Sequence, residues 1–153
     1  MNKKLIIIFT FLFLNSCGFK PVFKEENLSK LNIKKINFSG QTELIYLLKN
    51  YLNFKTNNGQ KGITINLIVN ENISPASKNS SGGTTEELIS ISIKLDISDN
   101  ENKNLLSENL ISRKRLSINN NLSTYNNTKN IEKNNLILNL SQQIKLKLRT
   151  IYR

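Results

Sequence analysis

The stretch Ile89-Ser90-Ile91-Ser92-Ile93-Lys94-Leu95-Asp96-Ile97-Ser98 decides the fold of this 153-residue chain. Apolar and polar residues alternate along it without a break, and successive side chains of a β-strand point to opposite faces of the sheet. The pattern therefore predicts a strand with one buried face and one wet face. The wet face carries serines, Lys94 and Asp96, so we expect it to remain uncovered.

Two further strands are predicted upstream. Residues 63–69 (ITINLIV) alternate in the same way, and residues 32–38 (NIKKINF) form a shorter candidate strand whose isoleucines break strict alternation. Residues 70–85 contain Pro75 and the run Ser80-Ser81-Gly82-Gly83. This composition predicts a long loop before the strand at residues 89–98.

A fourth strand is predicted downstream, over residues 105–118, after a polar hairpin connection at residues 99–104. By parity, Arg113 and Arg115 point away from the side that holds Leu110, Leu116 and Ile118. Lys114 falls on the apolar side. Either a bulge intervenes at Lys114, or its long side chain reaches out to water at the sheet edge.

Two helices complete the prediction. Residues 42–52 place leucines and Tyr51 at helical spacing, and a long last helix follows Thr128 as its expected N-cap. The long helix carries an apolar stripe: Ile137, Leu140, Ile144, Leu148 and Ile151. The order β-α-β-β-β-α predicts one α+β domain over residues 31–153, a two-layer sandwich in which both helices cover one face of an antiparallel or mixed four-stranded sheet.

The N-terminal residues are typical of a bacterial lipoprotein. Lys3 and Lys4 precede the apolar run of residues 5–14, and Leu14-Asn15-Ser16-Cys17 resembles a lipoprotein cleavage site, although Asn15 is unusual there. We expect residues 1–16 to be a cleaved signal peptide, Cys17 to carry the lipid, and residues 17–30 to form a tether. The alternatives are ordinary secretion and a buried strand at residues 5–14.

Composition excludes several function classes. The chain has no histidine and one cysteine, which lipidation would consume, so we expect no enzyme activity, no metal site, no disulfide and no cofactor beyond the lipid on Cys17. The adjacent Glu86 and Glu87, and the group Asp96, Asp99 and Glu101, fit solvated turns and strand ends better than an acid–base pair.

The chain is strongly basic. Removing the leader takes Lys3 and Lys4 from the 22 basic residues and none of the 11 acidic ones, so the formal charge falls from +11 to +9. A lipoprotein does not meet nucleic acid, so we expect no nucleic-acid partner. The expected polyanions are phosphorylated glycolipids and anionic lipid head groups.

Arg113, Lys114 and Arg115 form the densest basic cluster. Arginine makes bidentate hydrogen bonds to phosphate, so the cluster is a candidate phosphate site. The alternative is a solvated strand edge whose charges prevent aggregation.

The mature chain resembles the LPS-assembly lipoprotein family LptE, in particular its alphaproteobacterial branch. The opening Cys17-Gly18-Phe19-Lys20-Pro21-Val22-Phe23 carries the most distinctive likeness. Weaker likeness lies in the strand at residues 93–99, the connection Ser123-Thr124-Tyr125-Asn126 and the helix end Arg149-Thr150-Ile151-Tyr152.

The resemblance implies a non-enzymatic outer-membrane lipoprotein on the periplasmic side. Such a subunit sits inside the LptD β-barrel, plugs it, assists its assembly and binds lipopolysaccharide. Gly18 rather than Asp after the cysteine is compatible with sorting to the outer membrane. On physical grounds Arg113 and Arg115, with Lys114, are the candidate lipopolysaccharide contacts. The competing interpretations are an accessory lipoprotein of an intermembrane phospholipid transporter and a pilotin-like adaptor for a secretion channel.

Overall fold

The computed structural model describes residues 32–57 and 61–151. The predicted signal peptide, Cys17 and the tether of residues 17–30 lie outside these residues. The elements are β1 (Ile33–Gly40), α1 (Thr42–Leu52), β2 (Ile63–Lys78), β3 (Thr84–Ser98), β4 (Asn104–Ser117) and α2 (Leu122–Ile151).

The four strands form one mixed sheet in the order β1-β2-β3-β4. β1 pairs with β2 in parallel, and β2, β3 and β4 form an antiparallel meander. Parallel strands need a crossover, and α1 supplies it. The predicted α+β class, the element order and the four-stranded mixed sheet are confirmed.

The core lies between one face of the sheet and the two helices. The alternating isoleucines and leucines of β2 and β3 reach nearly complete burial on this face, as the sequence pattern predicts. The helices contribute the other half of the core. The predicted apolar stripe of α2 is buried from Ile137 to Leu148, and its last member, Ile151, is half-buried. The fully buried side chains include Leu44, Leu48, Ile65, Leu67, Ile89, Ile91, Ile93, Leu95, Ile137 and Leu140.

β2 continues far beyond the predicted strand, and the long loop expected at residues 70–85 is wrong. The N-terminal half of β3 pairs with this extension, from Glu71 opposite Ile91 to Lys78 opposite Thr84. Register shifts on either side of Ser77 accommodate the chain just after Pro75, which has no N–H to donate. The connection shrinks to residues 79–83, where Asn79 Oδ1 accepts hydrogen bonds from the N–H groups of Ser81 and Gly83.

α2 begins six residues before the predicted cap. Asn121 Oδ1 accepts a hydrogen bond of 3.1 Å from the Thr124 N–H, so Asn121 caps the helix. Thr128 lies inside the helix and donates to the Thr124 carbonyl at 2.9 Å.

Ile118, expected on the apolar side of β4, follows the end of that strand and is 37% exposed. None of the helices in residues 32–57 and 61–151 is both long and apolar enough to cross a membrane.

The pairing of β1 with β2 explains why the isoleucines of β1 do not alternate strictly with polar residues. A register shift lies between Ile33 and Lys35, which returns Ile33 to the core at 2% exposure. The strand ends at Gly40, whose φ of +114° is strained for any side chain, and an added Cβ would meet the Val69 carbonyl oxygen at 1.9 Å. Glycine therefore allows the tight entry into α1.

Candidate functional site

The open face of the sheet is the candidate functional site. We define it as the face opposite the helices, where side chains form rows across the strands. Most of these side chains carry hydroxyl, amide or charged groups, and Ile68 and Ile111 are the exposed apolar exceptions in the rows below. The rows are Arg113–Ser90–Asn72, Ile111–Ser92–Asn70, Asn109–Lys94–Ile68 and Ser107–Asp96–Asn66–Asn37.

Arg113 and Arg115 both lie on the open face, as strand parity predicts. Arg113 stands opposite Ser90 and Arg115 opposite Leu88. Two residues of one strand are roughly 7 Å apart, so a single phosphate group can reach both guanidinium groups. Among the described residues neither arginine takes part in an ion pair. Their charges are therefore available to an anionic ligand.

Lys114 lies on the other side of the sheet. The β3–β4 register runs without a shift from Leu106 to Ser117, so a bulge at Lys114 is wrong and the second alternative is confirmed. The lysine reaches out past the core to Glu132 of α2, with 3.5 Å between Nζ and Oε1, and its side chain is 51% exposed. The three consecutive basic residues therefore serve two faces, and Lys114 does not join the arginines.

Lys94, Asp96 and Ser107 form a hydrogen-bonded group near the centre of the open face. Lys94 Nζ lies 3.3 Å from Asp96 Oδ2, and the Ser107 hydroxyl donates to Asp96 Oδ1. The Ser107 hydrogen bond is the main cause that lowers the pKa of Asp96, with a smaller contribution from Lys94. An open depression of about 390 Å³ lies beside them, lined by Asn70, Ser92, Lys94, Ser107, Glu108 and Asn109.

On the helix side the structure shows a polar group that the sequence did not predict. Glu87, expected at a solvated strand end, accepts hydrogen bonds from the Tyr125 hydroxyl and from Lys129 Nζ, the latter at 2.9 Å. The Tyr125 bond is the main cause that lowers the pKa of Glu87. Burial works against the charge of Lys129, but its bonds to Glu87 and Tyr125 outweigh burial and raise its pKa. The group fastens α2 to β3.

The open face can bind a polar, anionic ligand by hydrogen bonds and charge. Amides and hydroxyls in adjacent rows offer both donors and acceptors, and the two arginines add cationic forks suited to phosphate. Within residues 32–57 and 61–151 no three histidine, cysteine or carboxylate side chains are grouped to hold a metal. Strand parity predicted the side of the sheet on which the two arginines lie, but the rows of side chains depend on the pairing of the strands.

No protein family model matches the sequence, and no curated protein matches it. Solved structures do share the fold. Rare lipoprotein B from Shewanella oneidensis superposes with a TM-score of 0.61 at 11% identity, covering 76% of this chain and 94% of that one. A minor lipoprotein from Acinetobacter baumannii gives 0.57 at 17% identity, covering 75% and 91%. Uncharacterized lipoprotein B from Nitrosomonas europaea gives 0.58 at 16% identity, covering 74% and 81%. The domain thus has a fold found in bacterial lipoproteins.

Proposed function

We propose that this protein is a lipid-anchored outer-membrane lipoprotein that acts as an LptE-type plug subunit, assisting assembly of an LptD-type β-barrel and binding lipopolysaccharide. The observation that carries the proposal is the open face, mostly polar from β1 to β4, in a domain whose fold occurs in bacterial lipoproteins. Arg113 and Arg115 lie on this face and make no ion pair with the described residues. Cys17 carries the lipid, and the role is non-enzymatic.

A polar open face suits a plug because the interior of a wide membrane barrel is hydrated and lined by polar side chains. Asparagine and serine can both donate and accept hydrogen bonds, so they adapt to a polar wall without the desolvation cost of charges. The Asn37–Asn66 hydrogen bond of 2.7 Å shows how neighbouring amides on this face already satisfy each other.

The same face argues against a phospholipid carrier. A carrier needs an apolar groove for acyl chains, and the rows around Lys94 and Asp96 present charges and amides instead. A lipopolysaccharide, in contrast, brings phosphates and sugar hydroxyls that match arginine and amide groups. Arg113 and Arg115 are the proposed phosphate contacts.

The partner is tested first. The outer membrane is extracted with mild detergent, and the protein is purified through a tag placed after Arg153. Mass spectrometry then identifies the partners that copurify in stoichiometric amounts. We expect a large β-barrel of the LptD type. Recovery of a transporter or of a secretin in its place would contradict the proposal and favour the accessory or the pilotin interpretation.

Lipopolysaccharide binding is tested on variants with equal charge. The double variant Arg113→Ala/Arg115→Ala should weaken binding of purified lipopolysaccharide about tenfold or more, since each arginine contributes a charge-assisted contact. The matched control is Lys55→Ala/Lys61→Ala, which removes the same charge from exposed positions between α1 and β2. Equal loss in both double variants would show that net charge, rather than the open face, attracts the ligand.

A further inference from the structure

One end of the domain is defined by the place where the chain enters it. The Asn32 carbonyl accepts a hydrogen bond of 2.9 Å from the Ile63 N–H, and the Asn32 side chain donates to the Lys61 carbonyl at 2.7 Å. The Gly62 N–H donates at 2.8 Å to Asn100 Oδ1 in the connection between β3 and β4. The starts of β1 and β2 therefore meet the β3–β4 connection at one end, which we call the entry end.

Exposed lysines concentrate at the entry end. They are Lys34 and Lys35 at the start of β1, Lys55 and Lys61 between α1 and β2, and Lys103 before β4. Lys55 is held near this end because the N–H of Asn57, two residues later, donates a hydrogen bond of 2.8 Å to the Ile33 carbonyl. None of these five lysines makes an ion pair with the described residues.

Acidic residues do not cancel this charge. The β3–β4 connection contributes two carboxylates, Asp99 and Glu101, against the five lysines. Asp99 Oδ1 already accepts hydrogen bonds of 2.9 Å from the N–H groups of Glu101 and Lys103. The entry end therefore keeps a net positive charge, and its lysines can meet an external anion.

The opposite end of the domain has a different charge pattern. β2 runs 16 residues from Ile63 to Lys78, a rise of about 50 Å, so the β2–β3 connection at residues 79–83 lies far from the entry end. This connection has no charged residue. In the half of the domain nearer to it, three lysines each contact a glutamate: Lys114, Lys129 and Lys133. Unpaired lysines are therefore concentrated at the entry end.

The chain also leads from the entry end to the proposed lipid. Residues 17–31 separate this end from the membrane anchor, a length of at most about 50 Å. The lipid on Cys17 thus keeps the entry end within reach of a membrane surface. Anionic head groups attract lysines that come within a Debye length of that surface.

We propose that the entry end docks on anionic phospholipid head groups, so that the anchored protein stands with the β2–β3 hairpin pointing away from the membrane. The inference rests on the lipid at Cys17, which belongs to the proposed function. It applies to the anchored chain before a barrel encloses it, so docking and enclosure are successive states. Because the contact uses one end of the domain, Arg113 and Arg115 on the open face stay free.

Vesicle cosedimentation tests the docking. The mature chain, residues 17–153 with Cys17→Ser, cannot carry the lipid, so its binding reports the protein surface alone. We expect it to bind vesicles of phosphatidylglycerol and phosphatidylcholine but not vesicles of phosphatidylcholine alone. It should be released at about 1 M salt, where the Debye length is about 3 Å. Equal binding to both kinds of vesicle, or binding to neither, would overturn the proposal.

Two double variants locate the contact. Lys55→Ala/Lys61→Ala should weaken binding to the anionic vesicles about tenfold or more, because two lysines at the surface are lost. Arg113→Ala/Arg115→Ala removes the same charge from the open face and should weaken it less than about twofold. Circular dichroism checks that both are folded. Equal losses would show that net charge attracts the vesicles and would overturn the proposal.

The two double variants exchange their roles between this experiment and the lipopolysaccharide experiment, so each proposal can fail alone. Loss of vesicle binding with the lysines and no loss of lipopolysaccharide binding with the arginines would contradict the open-face site only. The reverse pattern would contradict the docking of the entry end only.

Fluorescence quenching tests the orientation. In the same Cys17→Ser chain a fluorophore is attached through Asn104→Cys at the entry end or through Ser81→Cys in the β2–β3 connection, both at exposed positions. The anionic vesicles carry a quencher on their head groups. The label at position 104 should be quenched strongly and the label at position 81 hardly, since the two ends lie about 50 Å apart. Equal quenching, or stronger quenching at position 81, would overturn the proposed orientation.

Discussion

The two halves of α2 are attached to the sheet by different forces. The C-terminal half packs through Leu136, Ile137, Leu140, Ile144 and Leu148, all of them buried. The N-terminal half is held by polar contacts with the sheet. Tyr125 donates a hydrogen bond to Glu87, and three ion pairs join the two elements: Lys129–Glu87, Lys133–Glu71 and Glu132–Lys114. One continuous helix of 30 residues therefore joins an apolar interface to a polar one.

The difference indicates which part of the helix stabilises the fold and which part sets the orientation of the helix on the sheet. Apolar burial is favourable wherever the shapes fit, whereas a partly buried ion pair roughly balances its own desolvation and requires a particular partner. We infer that the C-terminal half supplies most of the stability, and that the N-terminal half sets the angle of α2 over the extended β2–β3 hairpin.

The largest effect is expected in the apolar half. Leu140→Ala should lower the free energy of unfolding by about 3–4 kcal/mol, because a fully buried leucine leaves a cavity. Leu138→Ala, at a neighbouring position that is 39% exposed, should cost less than about 1 kcal/mol. Urea denaturation measures both. Similar losses of stability in the two variants would contradict the conclusion that Leu140, and not Leu138, lies in the core.

The polar half is tested next at Lys133 and Glu71. Their side chains are 15% and 10% exposed, and Nζ lies 2.7 Å from Oε1. Lys133→Met should cost about 2 kcal/mol, because it leaves a mostly buried carboxylate without its cation. Glu71→Leu/Lys133→Met should recover most of that loss in the same urea titration. If the double variant is as unstable as the single one, the pair contributes stability and the contrast between the halves fails.

Glu87 gives a smaller effect that depends on pH. Glu87→Gln should cost about 1 kcal/mol at pH 7, since it weakens the bonds from Tyr125 and Lys129. Because its pKa is lowered from 4.5, the carboxylate stabilises the fold above pH 4.5 and loses this contribution as pH falls through its folded-state pKa. The stability curves of the wild type and the variant should therefore converge in acid.

Tyr125→Phe is the companion variant for Glu87, because the tyrosine hydroxyl is the main cause of the lowered pKa. It should make the acid part of the stability curve shallower than in the wild type. Tyr46→Phe, at a position that is 66% exposed, is the control and should leave the curve unchanged. Parallel curves for the wild type and Tyr125→Phe would contradict the role of this hydrogen bond.

The smallest effect on stability is expected on the open face. Arg113→Ala should change the free energy of unfolding by less than about 0.5 kcal/mol, because the side chain is exposed and makes no ion pair with the described residues. Together with a loss of lipopolysaccharide binding, this result would separate binding from folding. A large loss of stability in urea would show instead that Arg113 is structural.

Residue patterns predicted the apolar part of the fold well. α1 has the predicted bounds, residues 42–52, and the stripe of the long helix is buried as expected. The extension of β2 was missed because its inward position Glu71 is charged, so hydrophobic periodicity does not reveal that it faces Lys133. The first turns of α2 were missed because Tyr125 is their one buried side chain, which gives no helical period.

The candidate site was predictable only in part. Strand parity placed Arg113 and Arg115 on one face and Lys114 on the other, because it needs no knowledge of neighbouring strands. The rows that bring Asn72 and Ser90 beside Arg113 depend on the register of three strands. A register is set by turns and long-range pairing, and residues 70–78 were not recognised as a strand at all.

The strand order of the sheet, identical to the order of the chain, has a kinetic consequence. The meander of β2, β3 and β4 closes through two tight turns, at residues 79–83 and 99–103, so its contacts are local and can form early. β1 leaves the ribosome before them, yet it must wait for β2 and for the α1 crossover before its parallel pairing exists. Among the four described strands, the one synthesised first is thus expected to be among the last to pair.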